Sequence, residues 1–176
     1  MSANAKAVLG TVLSIGVTFA VSPVPAAART SGKESFRGQI IAPAKAGTRH
    51  AVSSIVVAEG VFTGAGKIVE VANRPGDPDD VSRDDLVFPG GTMHIRNTSQ
   101  PPKVSADQQT CALTASIKQT TKVQGGTGKF RHASGTFTGT AHAWGVAARN
   151  PDGTCNMQAD LLLDADAVAG RGTLSF

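Results

Sequence analysis

The sequence contains no tyrosine and one tryptophan, and charged residues make up only 17% of its 176 residues. The absence of tyrosine excludes any mechanism in which a phenol acts as acid or base. The low charge and the 40% hydrophobic content exclude a disordered chain. Twenty glycines and nine prolines disfavour a helical bundle. The abundance of glycine and β-branched residues instead predicts short strands joined by tight turns.

The first 28 residues have the pattern of an export signal. Lys6 precedes an apolar run from Ala7 to Ala20, and Ala26 and Ala28 supply the small residues of a signal-peptidase site. A run of about 14 residues is too short for a permanent membrane helix. No cysteine for a lipid anchor and no twin arginine accompany it. We therefore expect a Sec-type signal peptide cleaved after Ala28 and a secreted or extracytoplasmic protein; an uncleaved anchor is the alternative.

Cleavage would leave 148 residues, enough for one hydrophobic core. We expect a flexible leader over residues 29–34 and a single β-barrel domain over 35–176. Cys111 and Cys155 are the two cysteines, and in an exported protein an even number favours a disulfide bond.

The positive charge of the mature chain, 16 basic against 13 acidic side chains, is not gathered in one run. Lys118, Lys122, Lys129 and Arg131 come closest, and the first two are interpreted as part of a solvated strand face. A nucleic-acid site would need a basic patch with interleaved aromatic residues, so no nucleic-acid partner is expected. No membrane span is expected after cleavage. The oligomeric state stays open, a homo-oligomer included.

Periodicity predicts roughly eight strands and no helix. Long strands with internal glycines favour a closed barrel over a sandwich, because a coiled sheet must bend and closure removes exposed edges. The predicted strand segments are 36–41, 49–57, 61–71, 86–88, 92–97, 111–123, 135–146, 160–167 and 170–176.

The segment from Val123 to Phe137 contains a GxG motif, but it completes neither a dinucleotide nor a P-loop template and is flanked by strands. Its GGTGxF element, followed by Ala and Gly before a long strand, resembles the recurring hairpin of the allene oxide cyclase and dirigent barrel superfamily and of exported bacterial proteins. The resemblance implies an eight-stranded antiparallel β-barrel. The family's chemistry relies on polar residues that include tyrosines, so no catalytic residue is transferred. The residues given structural turn roles are Gly125, Gly126, Gly128, Phe130 and Gly135.

The sharpest charge cluster is an acidic loop from Asp77 to Asp85. Calcium prefers six to eight oxygen ligands, and five carboxylates offer several. The spacing matches no EF-hand, and prolines and an arginine interrupt it, so a solvated connection is the default and no metal is predicted. The aspartates are Asp77, Asp79, Asp80, Asp84 and Asp85.

Two residues on the long strand after the glycine turn are the candidate ligand-binding pair. His142 and Trp144 share one strand face, and imidazole titrates near neutrality. If that face lined the barrel, the pair would contact a small apolar ligand; a surface histidine is the alternative. No nucleophile elbow, zinc-protease motif or cysteine-protease set is present, so no catalytic residue and no cofactor are predicted.

These patterns favour an exported, non-enzymatic β-barrel that binds a small apolar ligand or serves as an interaction module. One alternative is an isomerase or cyclase that acts on a hydrophobic compound inside the barrel, with His142 as its acid or base. The other is a structural protein of the cell envelope with a packed barrel.

The export signal makes a direct prediction. The protein recovered from the medium or periplasm of an expressing bacterium should begin at Arg29, because cleavage follows Ala28. Intact-mass spectrometry measures this. A full-length mass in the membrane fraction would contradict it and favour the uncleaved anchor.

Overall fold

The computed structural model describes residues 29–42, 53–159 and 161–176. The predicted signal peptide and residues 49–52 of the strand predicted at 49–57 lie outside these residues. No helix within the described ranges is long and apolar enough to cross a membrane. The strands are β1 (Ser31–Ala42), β2 (Ser53–Gly60), β3 (Gly64–Val71), β4 (Val81–Phe88), β5 (Gly91–Ser99), β6 (Lys103–Ala106), β7 (Ala112–Gly126), β8 (Ser134–Ala147) and β9 (Leu161–Ser175).

Eight of these strands form a closed antiparallel barrel in the order β1–β2–β3–β4–β5–β7–β8–β9, and β9 pairs with β1 to close it. The ninth strand, β6, pairs with the first half of β7, beyond the part of β7 that pairs with β5. The predicted eight-stranded antiparallel β-barrel is therefore confirmed, with one extra strand.

Several element boundaries differ from the prediction. Residues 31–34, expected as part of a flexible leader, begin β1, because they pair with the C-terminal strand from Ser31 opposite Ser175 onward. The two strands predicted at 160–167 and 170–176 are one strand. Gly170 lies opposite Gly139 where β8 and β9 approach closely: a Cβ on Gly139 would lie 2.0 Å from the Ala169 carbonyl oxygen. Glycine thus lets β9 continue rather than ending it.

A cluster of phenylalanines fills one end of the barrel. Phe62, in the β2–β3 connection, lies at its centre, with its ring centroid 5.0 Å from that of Phe88 and 5.2 Å from that of Phe130. Phe176 joins from the C-terminus at 5.3 Å from Phe130. The Lys129 ammonium lies 4.1 Å from the Phe62 centroid, within cation–π range. The rings at this end pack against one another edge to face.

The glycine-rich turn between β7 and β8 delivers Phe130 to that cluster. Gly125 and Gly128 have φ of 87° and 55°, values that favour glycine. The short 3-10 helix Gly128–Phe130 follows, and the Phe130 side chain is fully buried. The predicted turn therefore lies where the sequence placed it, and it closes one end of the barrel.

A buried carboxylate holds the β2–β3 connection in place. The Glu34 carboxylate accepts hydrogen bonds from the backbone N–H of Phe62 at 2.8 Å and of Ser35 at 3.1 Å. Burial raises the pKa of Glu34 above its ordinary value, and these N–H donors partly oppose the rise. The phenylalanine cluster thus depends on one acidic side chain of β1.

The predicted disulfide is confirmed. Cys111 and Cys155 are bonded, with their Cα atoms 5.4 Å apart. The bond joins the start of β7 to the β8–β9 connection, at the end of the barrel opposite the phenylalanines. Ala147, Leu113 and Leu161 pack around it as a small second core.

Glu34→Gln should flatten the pH dependence of stability. Because the folded pKa is raised, protonation of Glu34 favours the folded state, and this contribution is lost as pH rises through the raised pKa. Urea unfolding between about pH 4.5 and pH 8 measures the slope. Glu59→Gln, an exposed carboxylate on β2, is the control. Equal slopes in wild type and Glu34→Gln would contradict the assignment.

Replacing Cys111 and Cys155 together by alanine should lower the free energy of unfolding by about 2–4 kcal/mol, because a loop of 44 residues is released in the unfolded chain. Chemical denaturation measures the loss, and reduced wild-type protein should show the same value. Unchanged stability on reduction would contradict this.

Candidate functional site: a cavity at one end of the barrel

A cavity of about 480 Å³ occupies the barrel on the side away from the central phenylalanine cluster. Phe36 and Phe137, whose ring centroids are 4.9 Å apart, form its floor. It extends from there to Val71 and Asn73, where β3 ends. The apolar residues that line its lower part are Phe36, Val56, Ile68, Leu86, Ile95 and Phe137.

The upper part of the cavity carries polar groups beside apolar side chains such as Ile40 and Val168. Carboxyl, amide and hydroxyl groups are added to the lining there. This division leaves an apolar base for an apolar molecule and hydrogen-bonding groups near the opening. The polar residues of this part are Glu70, Asp84, Asn97, Gln119, Thr121 and Asp166.

Asn97 organises the polar part. It is 6% exposed, and its Nδ2 donates to Asp84 Oδ2 at 2.7 Å and to Ser82 Oγ at 3.3 Å. The Thr121 hydroxyl donates to Asn97 Oδ1 at 2.6 Å. The amide therefore has partners on both its oxygen and its nitrogen, from the neighbouring strands β4 and β7. Such a satisfied network holds these groups in fixed positions at the cavity wall.

Gln119 extends the polar wall toward the end of β5. Its Nε2 donates to Ser99 Oγ at 3.1 Å, across the β5–β7 pair. Together with Asn97 and Thr121 it gives one wall of the cavity an amide and hydroxyl surface. This wall can hydrogen-bond a carbonyl or hydroxyl group of a bound molecule.

His142 and Trp144 lie outside the barrel. Residues alternate between the two faces of a strand, and on β8 the cavity is lined by Phe137, Gly139 and Ala141. His142 is exposed and Trp144 is 47% exposed on the opposite face. His142 and Trp144 were predicted to contact a ligand if their strand face lined the barrel. That face is on the outside of the barrel.

The acidic segment does not form one loop. Because β4 begins at Val81, strand alternation separates its aspartates: Asp84 lines the cavity, whereas Asp85 contacts His94 at 2.6 Å outside it. In the preceding loop, Asp77 pairs with Arg83, whose Nε lies 2.7 Å from Asp77 Oδ2. The Arg83 guanidinium and the Arg74 N–H lower the pKa of Asp77 well below its usual range.

Metal binding gains no support from this segment. No group of three metal-ligating side chains occurs among residues 29–42, 53–159 and 161–176. Asp84 and Asp85 lie on opposite faces of β4, and Asp77 is paired with Arg83 in the preceding loop, so these carboxylates do not converge on one point.

The residues that shape the cavity carry little signal in the sequence. On β5, Met93, Ile95 and Asn97 share the inward face. One asparagine among the apolar residues of that face is the sequence feature that could have indicated a polar site inside the barrel. Its partners come from β4 and β7, and no local pattern connects these segments. The network therefore became visible only with the strand register.

Comparisons with protein-family models, curated proteins and solved structures found no match to this chain. The resemblance to the allene oxide cyclase and dirigent superfamily therefore stays a prediction.

Proposed function

We propose that this protein is an exported, non-enzymatic barrel that binds one small, mostly apolar molecule. The observation that supports it is the cavity of about 480 Å³, with an apolar base and a hydrogen-bonding upper wall. Ligand sites of small molecules typically have about 300–1,000 Å³ and this combination of lining. An eight-stranded barrel is wide enough to hold one small ligand.

The geometry also suggests how a ligand would be oriented. Its apolar part would rest on Phe36 and Phe137, and a carbonyl or hydroxyl group would face Asn97 and Gln119. Binding would remove apolar surface from water at about 25 cal/mol per Å². The phenylalanine cluster at the other end would prevent passage through the barrel.

An isomerase or cyclase acting on a hydrophobic compound is the second candidate. His142 is on the outer face and does not support it. The feature in its favour is that carboxyl groups of Asp84 and Asp166 line the same cavity as the apolar base. Carboxyl groups in such a place are suited to moving a proton within a bound compound. A structural envelope role would not require a cavity.

Ala141→Leu should weaken ligand binding at least about tenfold, because an isobutyl side chain in place of a methyl group would project into the cavity. Nile red, a neutral apolar dye, serves as the probe, and its fluorescence titration measures Kd. The matched control is Ala167→Leu on β9, opposite His142 on the outer face, which should change Kd less than twofold.

Native mass spectrometry of protein purified from its own host then identifies a retained molecule. Recovery of that molecule with unchanged chromatographic retention after incubation supports binding alone. A changed retention at equal mass supports the isomerase. Equal Nile red affinity in wild type and Ala141→Leu, with both folded by circular dichroism, would overturn the cavity as the site.

A further inference from the structure

The outer surface of the barrel has a strongly uneven charge distribution. Along β1, β7, β8 and β9, the side chains facing away from the cavity include many cations and no acidic residue among the described positions. One exposed lysine of β6 continues this surface. We call it the basic wall, and its exposed cations are Lys33, Arg37, Lys103, Lys118, Lys122 and Arg171.

The strand register arranges these cations on both sides of β8. Lys118 and Lys122 of β7 lie beside Thr140 and Thr136, whereas Arg171 of β9 lies beside Thr138 on the other side. Lys33 and Arg37 follow on β1, two strands from β8. With neighbouring strands ~4.8 Å apart, the wall is ~14 Å wide between β7 and β1.

The centre of the wall is polar and hydroxyl-bearing. Thr136, Thr138 and Thr140 point outward in succession on β8, and His142 and Trp144 continue the same line. From Thr136 to Trp144 this line is ~26 Å long. It offers hydroxyl groups for hydrogen bonds and, at its end, a half-exposed indole.

The carboxylates of the barrel strands are mostly directed elsewhere. Glu34 is buried, and Glu70, Asp84 and Asp166 line the cavity. On the outer face, Asp85 contacts His94 on the β4–β5 side, away from β8. The exposed Glu59 of β2 lies opposite Ser35, between Lys33 and Arg37, and marks the margin of the wall. Between β7 and β9 the basic wall presents one sign of charge, which attracts and concentrates polyanions.

We propose that the basic wall binds an acidic polysaccharide that lies along β8. Cations on both flanks would pair with carboxylate or sulfate groups along the edges of the chain. The threonine hydroxyls would form hydrogen bonds with its sugar hydroxyls. The Trp144 ring would pack against a pyranose face, since indole has an apolar face and an N–H group that water can solvate. The exported location expected from the sequence would expose this surface to such polymers.

Two other polyanions fit less well. Single-stranded nucleic acid would need several aromatic side chains on which bases stack, and the wall has Trp144 and His142 at one end. An anionic membrane would favour large apolar side chains between the cations, whereas threonines occupy the centre of the wall.

Alginate, a carboxylated polysaccharide, is the probe, and neutral dextran is the reference. At low ionic strength the wild type should bind alginate and not dextran, with affinity that falls as salt rises. Lys118→Gln/Lys122→Gln should weaken binding on the order of 20-fold, since each basic residue near an anionic surface contributes about fivefold. Lys67→Gln/Arg131→Gln removes the same charge from exposed positions outside the wall and should stay within about threefold of wild type.

Trp144 provides a second readout, because it is the single tryptophan and lies in the wall. Alginate should change its emission, and Trp144→Ala should weaken alginate binding without altering Nile red binding. Equal losses of alginate affinity in both double variants would mean that binding depends only on net charge, and this would overturn the proposal. Tighter binding to single-stranded DNA or to phosphatidylserine vesicles than to alginate, at matched charge concentration, would overturn it in favour of that partner.

Discussion

The pairing of β1 with β9, continuous from Ser31 opposite Ser175 to Ala42 opposite Asp164, closes the barrel, and the rest of the structure depends on it. Closure removes the edges that an open sheet would expose. It also turns the two faces of every strand into an inside and an outside. Side chains alternate along each strand, so every second residue faces the cavity and core and the residues between them face the surface.

The interior differs at its two ends because different side chains meet there. At one end the β2–β3 connection brings Phe62 inward, and Glu34 holds that connection through its backbone N–H. At the other end the strands contribute asparagine, glutamine, threonine and carboxylates to the cavity. A barrel packed throughout with phenylalanine would have no room for a ligand, and one lined throughout with polar groups would have little affinity for an apolar one.

Local patterns in the sequence were sufficient for a barrel of eight strands, the glycine turn at Gly125–Gly128 and the Cys111–Cys155 bond, but not for the short strand β6. They did not show which face of β8 points into the barrel, because Thr136–Thr138–Thr140 and Phe137–Gly139–Ala141 are both plausible inner faces. Contact between Phe137 and Phe36 of β1 decides between them, and that contact joins residues about one hundred positions apart. The prediction of a flexible leader was wrong over residues 31–34 for the same reason. These residues are mostly polar in sequence, and they form a strand because the C-terminal strand pairs with them.

β8 contributes to both candidate surfaces through alternate residues. Ala141 faces the cavity, and the next residue, His142, faces outward in line with the threonines. A ligand in the cavity and a polymer on the basic wall would therefore be separated by one layer of backbone, with no side chain shared between them. The acidic residues of the strands lie mainly within, and the basic residues mainly without, so each site keeps its own electrostatic character. The barrel wall thus allows the two sites to be occupied independently while holding them at a fixed distance from each other.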